Sequence, residues 1–135
     1  MQKRRPQSIS ELPKFLEFMD DWHAAVRVFL DAFYMATQET RQTMIDDEPI
    51  MTGNDHFNAF LGGMAEQLSL DYDLKCPGWS WNRARFLRSP IFPCKLEMMK
   101  AYLLASTPMA FKRRFIFTGD DPLSRPLKYF ENSLI

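Results

Sequence analysis

The chain is poor in the residues that most soluble catalytic and metal sites are built from. It has two cysteines and two histidines in 135 residues. Cys76 and Cys94 form no Cys-x-x-Cys, and His23 and His56 stand outside any His-Glu-x-x-His or Asp-rich calcium-loop spacing, so no metal or other cofactor is expected. Neither cysteine has a neighbouring histidine and no Gly-x-Ser-x-Gly occurs, which removes the usual nucleophile arrangements. Glycine numbers five and forms no phosphate-cradling loop. The carboxylate pairs Asp20 and Asp21, Asp46 to Glu48, Asp71 and Asp73, and Asp120 and Asp121 are expected as helix caps or solvated faces, because acid–base work needs one desolvated carboxyl. An enzyme is therefore not expected. No apolar run approaches the ~20 residues of a membrane span and no signal-peptide pattern follows "MQKRRPQS", so a cytoplasmic protein with free thiols is predicted.

Net charge is also missing: 17 basic residues balance 17 acidic ones. Residues 1–70 nevertheless hold 6 basic and 11 acidic residues, and 71–135 the reverse. Opposite halves either neutralise each other within the fold or leave a basic C-terminal face for an acidic partner.

What the chain has in abundance is apolar surface. Hydrophobic residues make up 46%, with twelve Phe and nine Met, far above a disordered composition. The length fits one domain with a true core. The expected organisation is a basic, flexible N-terminal arm over 1–9 and a single irregular all-α domain over 10–135, with three main helices and shorter C-terminal ones.

The first helical stripe runs from Leu12 through Phe15, Leu16, Met19, Trp22, Val26, Phe29, Leu30 and Phe33. Ser10 is a candidate cap and Pro13 fits a first turn, while Asp20-Asp21 offers a second start, so one long helix and two short ones are both compatible. "TRQTMIDDEP" reads as a turn or two of helix ending near Pro49. "DHFNAFLGGMAEQLSLDY" is the clearest helix, capped by Asn54 or Asp55. Its Gly62-Gly63 costs roughly 1 kcal/mol per glycine against alanine, which predicts close approach of another helix. "KCPGWSWNRARFLRSPIFPC" reads as a loop-rich link with a short helix near Asn82 to Leu87, and Trp79 and Trp81 as lids on the core. "KLEMMKAYLLASTP" is a third main helix, and "DPLSRPLKYFEN" a last short one opened by Asp121 and Pro122.

The segment "FKRRFIFTGDDPLSRP" carries the best lead. Lys112, Arg113 and Arg114 between Phe111 and Phe115 could grip phosphates beside a stacking ring, aided by the N-terminal arm. The structural alternative buries Phe111, Phe115 and Phe117 and turns the cations outward or onto the acidic half. Arg125 is expected to pair with Asp120 or Asp121. Exposed aromatics and methionines would also serve a homodimer.

"VFLDAFYMA", "DDEPIMTG", "FLGGMAEQLSLDYDLKCPGW", "TPMAFKRRFIF" and "DPLSRP" in this order, over roughly residues 26–126, resemble a set of small bacterial proteins. Those proteins share an aromatic helix, an Ala-Glu-x-Leu helix, a Pro-x-Trp turn and a Phe-Arg-Arg-x-x-Ile-Phe segment followed by Leu-Ser-Arg. They occur near or fused to helix-turn-helix regulators and nucleotidyltransferase-like toxins, which implies an antitoxin or partner-binding role. On this resemblance the arginine pair falls on Arg113 and Arg114 or on Lys112 and Arg113, the aromatic anchors on Phe111 and Phe117, the turn tryptophan on Trp79 and the late arginine on Arg125. No helix-turn-helix segment is recognisable here, so a protein partner is favoured over nucleic acid. The candidate partner-binding residues are Lys112, Arg113, Arg114, Arg125, Trp79 and Trp81.

Overall fold

The computed structural model describes residues 6–16, 21–93 and 97–128. They are helical, as the sequence predicts. No strand forms among them, and β pairing is limited to an isolated parallel bridge between Ile91 and Ile116. They group into two compact units, one of residues up to 51 with those from 123, the other of residues 52–122. The first boundary falls in the loop "IMTGND", the second just after Pro122.

In the first unit the chain enters earlier than expected. Ser8 rather than Ser10 caps a single 3-10 turn, Ile9–Glu11, by accepting a hydrogen bond from the Ser10 amide at 3.3 Å. Its hydroxyl also donates to the Met44 carbonyl. Pro6 is buried and Ile9 fully so, which makes residues 6–9 part of the packed unit and not of an arm. Lys3, Arg4 and Arg5 lie outside the described residues. The turn continues into α1 (Leu12–Phe15), with Pro13 in its first turn where no helical N–H partner is lost.

Asp21 then takes an extended conformation and caps α2 (Trp22–Met35), accepting from the His23 amide at 2.9 Å. The periodic stripe is thus divided into two helices. That amide bond, followed by the His23 ring, holds the exposed Asp21 carboxyl below its ordinary range. Ala25, Val26, Phe29, Leu30, Phe33 and Tyr34 form the buried stripe of α2.

Thr37 caps α3 (Gln38–Asp46), which buries Arg41, Met44 and Ile45. Arg41 is not a surface cation: its Nε donates to the Phe33 carbonyl at 3.0 Å and its Nη2 to the Tyr34 carbonyl at 2.8 Å. Those carbonyls belong to the last turn of α2, where helical partners run out, and a cation also complements that end of the dipole. From the far end of the chain, Leu123 accepts a hydrogen bond from the buried Tyr34 hydroxyl at 2.8 Å. The expected helix opening at Asp121 and Pro122 is instead a turn, with helical residues at 126–128. Proline at the first of these positions supplies a preset φ and gives up no helical hydrogen bond.

The second unit is organised on α4 (Asp55–Asp71). Asn54 caps it by accepting from the Phe57 amide at 3.0 Å. Asn58, buried one turn in, binds Thr52 through both its amide oxygen and nitrogen and so fixes the preceding loop. The helix ends with Asp73 in the left-handed region (φ 54°), while the Leu74 amide reaches back to the Ser69 carbonyl at 2.8 Å.

Around α4 pack two 3-10 turns, Gly78–Trp81 and Arg83–Arg85, and the short α6 (Met109–Lys112). The glycine pair marks that contact. A Cβ on Gly62 would lie 3.1 Å from the Arg114 Nε, 3.1 Å from the Arg85 Cβ and 3.2 Å from the Ser80 carbonyl oxygen. One on Gly63 would lie 2.8 Å from the Phe111 ring. The third main helix, α5 (Glu97–Ser106), turns Leu103 inward. Cys94 lies outside the described residues, and Cys76 is a half-buried free thiol.

Candidate partner-binding site

The block Lys112-Arg113-Arg114 is split by helical geometry. Its residues project in directions roughly 100° apart, so three consecutive cations cannot share one face. Ala110 and Phe111 turn inward, as does Arg114 one turn further on, and all three are buried. Lys112 is half-buried and makes no side-chain hydrogen bond or ion pair with another described residue. Arg113 is the most exposed of the three, although its side chain is only about a third exposed.

Arg114 is 0% exposed and is therefore unavailable to a phosphate or a partner in this fold. Its Nη1 donates to Glu66 Oε1 and to the Ala110 carbonyl, each at 2.6 Å, and its Nη2 donates to the Ser80 carbonyl at 2.6 Å. The guanidinium lies 4.4 Å from the Phe86 ring centroid. Burial pulls its pKa below the ordinary arginine value, and the hydrogen bond and charge of Glu66 oppose that shift. Arg114 therefore joins α4, α6 and the 78–81 turn, and its role is architectural.

Glu66 also meets Arg113, at 3.3 Å from Oε2 to Nη2. Arg113 lies over Trp81, 4.9 Å from the ring centroid, so the indole forms the outer layer of the cluster. Trp81 is 49% exposed and leans on Phe86 at 5.9 Å, a flank rather than a lid. Trp79 is half-buried and is covered by Arg85, whose guanidinium is 4.8 Å from its ring centroid. Arg85 is itself fully buried and donates to the Asn58 carbonyl at 3.1 Å.

Arg125 belongs to the other unit and pairs neither with Asp120 nor with Asp121. It grips Asp31 of α2 in a bidentate contact, Nε to Oδ1 at 2.8 Å and Nη2 to Oδ2 at 2.9 Å. This contact raises the arginine's pKa, the Asp31 hydrogen bonds being the main cause. A planar fork matches a carboxylate in a way an ammonium does not.

Phe111 and Phe117 are buried as expected, but Phe115 is 41% exposed. It also has φ +66°, the left-handed region that glycine normally fills. The Ile116 amide bonds the Phe111 carbonyl at 3.0 Å and the Phe115 amide bonds the Lys112 carbonyl at 2.9 Å, the two bonds of a Schellman turn with phenylalanine at its left-handed position. The Phe115 carbonyl then accepts from the Ile91 amide at 2.8 Å, which pins the turn from the other side. Neither Glu66 nor Phe115 stands out as a site residue in the sequence. Glu66 does have a readable sign, since it follows Gly62 and Gly63 at helical spacing on a face of small residues.

Among the described residues no group of three or more His, Cys, Asp or Glu could hold a metal ion, and no helix is long and apolar enough to cross a membrane. The chain matches no protein-family model, no curated protein and no solved structure.

Proposed function

We propose that this protein is a non-catalytic interaction module of the cytoplasm, an antitoxin-like or regulatory component of a bacterial two-gene system. The observation that carries the reading is Phe115. A left-handed conformation costs a residue with a Cβ roughly 1–2 kcal/mol, and a half-exposed ring recovers little of that by burial. Strained positions concentrate where a ligand or partner is engaged. Here the ring is fixed on a turn hydrogen-bonded on both sides, with Lys112 and the partly exposed Arg113 beside it in sequence and Trp81 under the Arg113 guanidinium. A rigid aromatic anchor with cations at its rim suits an acidic protein surface.

Phe115→Gly separates function from fold. The variant is expected to be more stable by about 1 kcal/mol in urea unfolding, since glycine accepts positive φ without strain. In pull-downs from the native host after nuclease treatment, Phe115→Gly and the double variant Lys112→Glu with Arg113→Ala are expected to lose a stoichiometric protein partner. Arg114 is left intact, because its removal would disturb the core. A partner captured equally by wild type and both variants would defeat the reading.

A second reading, nucleic-acid association, is favoured by Arg83, Arg88 and Lys112, which form no ion pair with a described residue. It predicts retention on nucleic acid that falls with salt, with a slope reduced by about one unit for each contacting cation removed.

A further inference from the structure

Glu66 carries a single negative charge and faces two arginines. Its Oε1 is taken by Arg114 Nη1 at 2.6 Å, and its Oε2 lies 3.3 Å from Arg113 Nη2. The three groups together keep a surplus positive charge, which reaches solvent through Arg113 because Arg114 has no exposed surface. The charge of Arg113 lowers the Arg114 pKa, against the support that Glu66 gives it. A guanidinium has five N–H donors. Glu66 is the one acceptor that the Arg113 side chain meets among the described residues, so the greater part of this fork is unoccupied. Behind it lies the Trp81 ring, 4.9 Å away at its centroid and itself exposed. Ring and fork are also held in place, since Arg114 Nη2 binds the carbonyl of Ser80, the residue before Trp81, and so ties the 78–81 turn to the end of α6.

The geometry points to Arg113 as the seat of a second carboxylate, an Asp or Glu side chain of the protein partner, held by the open part of the fork against Trp81. This inference rests on the partner reading above and sharpens it, because the contact is one fork-to-carboxylate ion pair and not a general attraction of a basic rim. Two arginines then face two carboxylates, and the surplus charge is gone. The planar fork matches a planar carboxylate, and the indole shields one side of the pair from water. Because both groups are set before a ligand arrives, little side-chain freedom is lost on binding. A phosphate backbone would gain less here. Its affinity grows with the number of cations it reaches, and in this block Arg114 is buried and Lys112 half-buried.

The test is a titration of the full chain with a capped hexapeptide of alternating Asp and Glu at constant ionic strength, followed by NMR at the Arg113 Nε–H and the Trp81 indole N–H. Both signals are expected to move and to saturate in the millimolar range, while the matching Asn and Gln peptide moves neither. Arg113→Lys keeps the charge and loses the fork, so the Trp81 signal is expected to need at least about fivefold more peptide. Trp81→Phe keeps the fork on a weaker ring and is expected to weaken binding about threefold, read at Arg113. Both side chains are partly exposed, so the two variants are expected to keep the wild-type circular dichroism. An Arg113 signal that the acidic peptide leaves unmoved, or a lysine variant that binds as wild type does, would overturn the inference. Inorganic phosphate that saturates the Arg113 signal at lower concentration than the peptide would also overturn it, in favour of nucleic acid. Phe115→Gly is expected to leave the titration unchanged, because the peptide offers no pocket to that ring. A saturating titration beside a pull-down without a partner therefore supports the carboxylate seat and counts against the partner reading, whereas a partner captured equally by wild type and Arg113→Lys defeats this inference alone.

Discussion

Glu66→Ala is expected to destabilise the protein by about 3–5 kcal/mol, the range for removing one partner of a buried ion pair. The carboxylate is almost wholly buried and is the counter-charge of Arg114, which has no exposed surface. Without it the guanidinium keeps the Ala110 and Ser80 carbonyls, which are dipoles and not charges, and stays desolvated. Glu66→Gln retains a hydrogen-bond acceptor and should lose less. Arg113→Ala should lose at most about 1 kcal/mol, because that arginine is partly solvated and its pair with Glu66 is longer. Denaturant unfolding of the three variants gives the ranking. A Glu66→Ala protein within about 0.5 kcal/mol of wild type would mean that the cluster is not the keystone of the second unit.

The second large effect is expected at Phe111. Its ring is fully buried, 5.1 Å from Phe60 and in contact with the surface that Gly63 leaves open. Phe111→Ala should cost about 3–5 kcal/mol through lost burial and the cavity left behind. Gly63→Ala should be unfavourable in wild type, because the ~1 kcal/mol gained in helix propensity is outweighed by about 1–3 kcal/mol of overpacking against the ring. In the Phe111→Ala background the obstruction is gone, and Gly63→Ala should become stabilising. The sign reversal in a double-mutant cycle measures the contact directly. Gly53, with nothing within 4 Å of a built Cβ, is the control at which alanine should have little effect.

Helix identity was legible because it depends on local pattern: the α2 stripe, the Asn54 cap and the end of α3 before Pro49 are all set by neighbours in sequence. The glycine pair likewise announced a close contact, although not the segments that make it. The direction of the cations was not legible. "KRR" has one meaning as text, but a short helix ending in a left-handed residue sends Arg114 into the core, half-buries Lys112 and leaves Arg113 exposed. Nothing local distinguishes Arg125 beside Asp121 from Arg125 clasping Asp31, because that choice is made by a chain reversal 94 residues long. Phe115 escaped for the opposite reason. A phenylalanine among phenylalanines reads as core, and only the backbone angle reveals it as the residue in glycine's place.

The clasp of Asp31 by Arg125 also sets an order of events during synthesis. Tyr34 and Asp31 leave the ribosome long before the residues that complete them, Leu123 and Arg125. At about 5–20 residues per second the gap is roughly 5–20 s, ample time for α4 and its surrounding turns to gather before α2 receives its last partners. A nascent chain stopped short of Leu123 would carry a first unit with the Tyr34 hydroxyl and the Asp31 carboxylate still waiting, open to chaperones and proteases until translation closes it.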